Sequence, residues 1–132
     1  MKVIVFRIGT SYFGLEFGSI QGIVSAESAV DSFFADTPGL AGMLKIHNDM
    51  IPVLALHKRL RLELSDEKHL FYMIVSVKEK RLAIPFDGVE NSYDVPPENL
   101  RAVPSMLRDV RWLREAVRLD GRLVLILDAA YL

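Results

Sequence analysis

Apolar residues alternate with polar ones over most of this chain, and the dominant period is two. Between Gly42 and Leu60, Leu44 and Ile46 alternate with Lys45 and His47, as in a half-buried strand. Asn48-Asp49 is expected to close a tight turn, because both residues tolerate positive φ. Met50 to Leu56 is apolar without a break, which implies a strand covered on both faces. Pro52 withholds a backbone donor, so that strand is expected at an edge or beside a bulge. Leu56 and Leu60, four apart, suit a short amphipathic helix ending in cations.

The same reading covers the rest of the chain. Lys2–Ile8 and Tyr12–Phe17 form a hairpin about Gly9-Thr10-Ser11, with Ile4, Phe6 and Ile8 on one face of its first strand and Phe13, Leu15 and Phe17 on one face of its second. Ile20–Val24 is a third short strand. Residues 25–41 are rich in Ser, Ala and Asp and read as a loop with one helical turn near Val30–Ala35. Arg61–His69 is a charged connector. Phe71–Val77 and Leu82–Phe86 alternate across a polar turn at Glu79-Lys80, and Asp87-Gly88 leads into Val89–Val95. Pro96-Pro97 stops that strand, and Pro97 suits the start of a helical turn.

Met106–Leu119 fits two patterns. Leu107, Val110, Leu113 and Val117 have helical spacing, whereas Leu113, Val117 and Leu119 with Arg114 and Arg118 opposite suit a strand from about Arg111. Glu115 would lie on that strand's apolar face. Asp120-Gly121 is a strong hairpin turn and needs flanking strands, which favours strand for Val117–Leu119 at least. Arg122–Leu127 is a final strand, with Asp128 placed to cap a last helical turn. A shift of 72 residues lays Asp120-Gly121 on Asn48-Asp49 and Leu123, Leu125 and Leu132 on Ile51, Val53 and Leu60. If that echo is a duplication, the chain holds two similar five-stranded barrels whose apolar faces share a core.

At 132 residues the chain has the size of one domain or two very small lobes. Half of it is hydrophobic and a quarter charged, a globular composition. A net charge of −1 without a basic block argues against nucleic acid as a partner. The absence of cysteine excludes disulfides, thiolate catalysis and thiolate metal sites. No apolar run approaches the roughly 20 residues of a membrane span, and the first residues do not read as a signal peptide.

Candidate chemistry is sparse. His47, His57 and His69 fall on separate elements, so no metal site is expected. No nucleophile-elbow or phosphate-loop pattern occurs, and turn formation and capping account for Asp87, Asp120 and Asp128. The one notable charge feature is Arg101, Arg108, Arg111, Arg114, Arg118 and Arg122, which reads either as a solvated face or as the rim for an acidic partner. Trp112 lies within it, as a candidate anchor or as core.

From Val3 to Leu132 the chain resembles the CheW family, the coupling proteins of bacterial chemosensory arrays. Gly42, Ile51, Pro52, Val53, Leu56 and Leu60 keep the family's glycine, apolar strand, apolar-Pro-Val-apolar and short helix. Phe86-Asp87-Gly88-Val89 matches its Val-Asp-x-Val segment, and Gly121-Arg122-Leu123-Val124 with Leu127-Asp128 matches its closing motif. Three positions depart. The family's Arg-Gly turn is His47-Asn48, the Asp of its Asp-Leu pair is Ala55, and the Gly that opens its penultimate strand is Glu115. At His47 the guanidinium's fork and permanent charge are lost.

The resemblance implies a mainly β fold: a single domain over residues 1–132, made of two small five-stranded SH3-like barrels with short helical turns. It implies a non-enzymatic adaptor with no cofactor, cytoplasmic and recruited to membrane arrays through its partners. Those partners are the regulatory domain of a CheA-type histidine kinase and, with the family's Arg replaced at the turn, less securely the cytoplasmic tip of a chemoreceptor. The residues brought forward as partner contacts are Met43, Lys45, His47, Asn48, Asp49, Trp112, Arg114 and Glu115. The alternatives are an adaptor of another signalling or motility pathway and a small β-barrel ligand binder.

Overall fold

A computed structural model describes residues 1–25, 40–46, 48–62, 71–107 and 110–132. The expected helical turn at Val30–Ala35, and His47, His69 and Arg108, lie outside them. Ten strands carry the described fold: β1 (Lys2–Ile8), β2 (Ser11–Glu16), β3 (Ile20–Ser25), β4 (Leu40–Ile46), β5 (Asp49–Leu54), β6 (Phe71–Val77), β7 (Lys80–Phe86), β8 (Gly88–Asp94), β9 (Leu113–Leu119) and β10 (Arg122–Leu127). The helix α1 (Leu56–Arg59) follows β5, and a 3-10 turn, Ala129–Tyr131, follows β10. Asp128 caps that turn by accepting from the Ala130 amide at 3.1 Å.

The strands form two five-stranded sheets, β8-β1-β2-β10-β9 and β3-β6-β7-β5-β4. Each is antiparallel except for one parallel pair, β10 on β2 and β5 on β7. Beyond β8 the chain makes a 3-10 turn, Pro97–Asn99, and returns to β9, where Arg101 and Ala116 exchange both backbone hydrogen bonds at 2.8 Å. That exchange curls the first sheet towards closure.

The two sheets interleave along the sequence. Residues before α1 give β1 and β2 to the first sheet and β3, β4 and β5 to the second. Residues after it give β6 and β7 to the second and β8, β9 and β10 to the first. The echo between the halves is therefore real as structure, with an offset of 73 rather than 72. Asp49–Leu54 and Arg122–Leu127 (122 less 49) run through the same order of two exposed, one buried, one half-buried and two buried residues. The 72-residue shift would pair Ile51, 1% exposed, with Leu123, 48% exposed.

The one-residue difference lies in the turn. Ile46 lies opposite Asp49, so the connecting pair is 47–48 and not Asn48-Asp49. Register is set by the buried pair Leu44↔Ile51, since a one-residue slip would turn Ile51 out to water. Likewise the β6–β7 turn is Lys78-Glu79, both at positive φ (46° and 70°), and not Glu79-Lys80. Pro52 sits in an interior strand, next to the bulge between Leu40 and Gly42 on its partner. Phe17 lies not on the Phe13 and Leu15 face but in a 3-10 turn, half exposed. Met106–Leu119 resolves into a short 3-10 turn at Ser105–Leu107 and strand β9 from Leu113. Glu115 is only half-buried there, because a bulge at Arg114 breaks the alternation and Arg114 pairs with it.

Three cores follow from strands that are apolar on both faces. Val3, Val5, Val95, Val117, Val124 and Ile126 fill the first sheet's concave side. Leu44, Ile51, Val53, Ile74 and Ala83 fill the second's. Between the sheets, Phe6, Ile8, Phe13 and Leu15 of the first meet Met73, Val75, Ile84 and Phe86 of the second. The Phe6 ring stands edge-on to Phe86, with centroids 5.7 Å apart.

Candidate partner-binding surface

The eight candidate residues divide between the two sheets. The β4–β5 hairpin carries Met43, Lys45, Asn48 and Asp49, whereas Trp112, Arg114 and Glu115 gather at the start of β9; His47 is not described. On the hairpin, Lys45 faces water opposite Met50, itself 44% exposed. Asn48 and Asp49 are exposed, and Asp49 accepts from Arg81 Nη2 at 2.8 Å. Met43 is half-buried opposite Pro52 and belongs to the hairpin's flank. This end therefore offers a flexible apolar side chain ringed by a lysine, an amide and a solvated ion pair. Such a surface suits contact with another protein.

At β9 the picture differs. Trp112 is half-buried and packs against the shared core, and its carbonyl accepts from the Asp128 amide at 2.7 Å. Its ring is mainly structural, so of the two readings of Trp112 the core one describes it better. Arg114 is exposed, 3.1 Å from Glu115 and 4.0 Å from Glu16. Among the described residues the arginines form no single rim: Arg101 donates to the carbonyls of Glu98 and Leu100, while Arg122 pairs with Glu90.

Among the described residues, no three of His, Asp and Glu converge in a way that would hold a metal ion. Nor is any described helix long and apolar enough to cross a membrane. One exposed residue escaped the sequence pattern altogether. Met106, 85% exposed in its 3-10 turn, had looked like one more position of an ambiguous stretch. Apolar identity alone gave no signal of its exposure.

Residues 2–132 match the family described as CheW-like domain. The chain belongs to that family. It is 22% identical over 134 residues to the chemotaxis protein CheW of Treponema pallidum (strain Nichols), covering 96% of this chain and 78% of that one. The scaffolding protein TtCheW from Thermoanaerobacter tengcongensis has the same fold, with a TM-score of 0.84 at 17% identity, covering 96% of this chain and 88% of the other. The two interleaved sheets are thus the two SH3-like barrels of a CheW-like chain, and the role that goes with the family is that of a chemotaxis adaptor or scaffold. In this CheW-like chain the three departures fall at separate places: residues 47–48 connect β4 to β5, Ala55 is buried just before α1, and Glu115 lies on β9 beside the bulge.

Proposed function

We propose that this chain is a non-enzymatic, cytoplasmic coupling protein that links the regulatory domain of a CheA-type histidine kinase to chemoreceptor tips, and that it works as a single domain. The observation that carries the reading is the family match, which spans both barrels from residue 2 to residue 132. An adaptor needs no reacting group. It holds two partners at a fixed spacing and raises the local concentration of each for the other. We assign the contacts to Lys45, His47, Asn48 and Asp49 at the hairpin end with Met43 on its flank, and to Arg114 and Glu115 with Trp112 behind them. The kinase contact is the better kept of the two, because the barrel frame is intact while the family's Arg at the turn is His47.

Titration of the full chain against the regulatory domain of the kinase from the same cell tests this reading. Binding at about 10 μM or tighter is expected. Lys45→Glu should weaken it about tenfold or more, chiefly through the on-rate and its salt dependence. A folded protein that shows no binding at several times that concentration would refute the kinase assignment. The departures at His47, Ala55 and Glu115 favour a second reading, an adaptor of another signalling or motility pathway. Co-purification of an alternative partner that competes at Lys45, with neither kinase nor receptor present, would favour it.

A further inference from the structure

We propose that the first barrel carries a second docking face, centred on Leu123, that takes a partner segment presenting a bulky apolar side chain between carboxylates. Leu123 is 48% exposed on β10 and lies directly opposite Arg118 of β9, so the two side chains share one face. Arg118 is exposed and makes no ion pair among the described residues. Beside Leu123, Thr10, Ser11, Tyr12, Arg122 and Leu125 line a depression of about 380 Å³. The Arg122 guanidinium lies over the Tyr12 ring, 4.6 Å from its centroid, which fixes both side chains as a wall.

The 73-residue offset relates this face to the hairpin face of the second barrel. Leu123 corresponds to Met50 and Arg118 to Lys45, and each pair sits opposite across its own hairpin. The charge differs at one pair of positions. Where the second barrel has Asp49 paired to Arg81, the first has Arg122 stacked on Tyr12. Beside Leu123, Arg118 stands on the same face, and Arg122, which lines the depression, shares Glu90 with Arg7 at 3.2 and 3.4 Å. An exposed leucine beside an arginine that makes no ion pair among the described residues, with a second arginine lining the same depression, is complementary to an acidic segment with an apolar anchor. The hairpin face of a second copy carries Lys45 and Arg81 and is a poor match. This inference stands whether or not the kinase contact at the hairpin end is correct. Two faces on separate barrels would make the chain bivalent.

The test uses the full chain, isotope-labelled, and an acetylated twelve-residue peptide with Leu and Phe set among glutamates. Saturable shifts confined to Thr10–Tyr12, Arg118 and Arg122–Leu125 are expected, with a Kd of about 0.1–1 mM that weakens with added salt. Arg118→Glu and Leu123→Ser should each weaken binding about fivefold or more, while Lys45→Glu leaves it unchanged. Both altered residues are exposed, and Arg118→Ala provides a milder variant. The proposal is overturned if no saturable shift appears, if a lysine-for-glutamate version of the peptide binds equally well, or if the shifts fall on the β4–β5 hairpin. It is also overturned if the face is covered by a second copy, seen as self-association that Arg118→Glu abolishes.

Discussion

Gly14 on β2 sits where the first barrel has no room for a side chain. A Cβ built there would lie 2.7 Å from Val3 Cγ1, 2.8 Å from Ile126 Cδ1 and 3.3 Å from Val124 Cγ1. Carbon atoms prefer about 3.5–4.0 Å, and all three neighbours are at most 1% exposed, so none can swing into water. Gly14→Ala should therefore cost about 1–3 kcal/mol in overpacking, offset by about 0.5–1 kcal/mol from the lost glycine entropy. A net loss of about 1–2 kcal/mol corresponds to a midpoint roughly 3–8 °C lower for a chain of this size. The other barrel shows how the space is otherwise filled. Its parallel pair Val53↔Ala83 occupies the place of Ile126↔Gly14, one methyl having moved from one strand to the other. Ile126→Val removes the Cδ1 that the new Cβ meets. Alone it should cost about 0.5–1.5 kcal/mol, but in the double variant it should return about 0.5–1 kcal/mol of the Gly14→Ala cost. Val3 keeps the rescue partial. Urea unfolding of the four proteins, followed by circular dichroism, measures the cycle. A Gly14→Ala protein as stable as the parent, or a cycle additive to within about 0.3 kcal/mol, would refute the packing account.

Phe6→Ala empties the meeting point of the two sheets and should cost about 3–5 kcal/mol. If the chain is one cooperative unit, the fluorescence of Trp112 and the backbone dichroism of both barrels will still lose structure at the same urea concentration; separate transitions would show independent lobes. Tyr93 donates its hydroxyl to Asp120, and that hydrogen bond, with smaller help from desolvation and the carboxylate charge, raises its pKa above the usual tyrosine value. Burial does the same for Tyr72. The folded chain then holds these protons more tightly than the unfolded chain, so their contribution is complete below about pH 10 and is lost as the pH rises beyond it. Absorbance at alkaline pH should show Tyr93 titrating late, and Tyr93→Phe should flatten the fall in urea midpoint over that range. Asp128→Ala removes the cap of the Ala129–Tyr131 turn and should cost about 1 kcal/mol by thermal unfolding.

Much of the fold was legible because strand periodicity and burial coincide in this chain. Arg122–Leu127 and Phe71–Val77 were bounded correctly, and Asp120-Gly121 was recognised as a hairpin turn; both residues have positive φ, 49° and 75°. Errors gathered where composition and geometry part. Turn-forming residue types placed two turns one position late, while the actual ends were fixed by which residues had to face the core, as with Leu44 and Ile51. Trp112 and Met106 show the limit for surfaces. A tryptophan among arginines is a natural anchor candidate, yet its ring serves the shared core, while Met106, one more position of an ambiguous stretch, stands in water. Which side of a short element faces out depends on contacts from elsewhere in the chain, and local pattern does not contain them.

The interleaving explains why the echo between the halves is faint in sequence while Asp49–Leu54 and Arg122–Leu127 share one burial pattern. Each barrel takes two strands from one half of the chain and three from the other, so equivalent positions meet different neighbours. Identity at such positions is free to drift as long as the summed volume and charge at each contact are kept. The two parallel pairs exchanged a methyl in this way, Ile126 with Gly14 against Val53 with Ala83. The surface pairs exchanged a charge: Asp49 with Arg81 became Arg122 with Tyr12. The first exchange conserves packing and leaves the fold unchanged. The second places a cation, held by Glu90 in a solvated contact, beside an exposed leucine, and a change of that kind is neutral for folding but selective for a partner. Reversing it separates the two effects. Arg122→Asp should leave stability within about 1 kcal/mol, since the Glu90 contact is exposed, and should abolish acidic-peptide binding at Leu123. If that variant bound the peptide as well as the parent does, the charge at residue 122 would have no part in recognition.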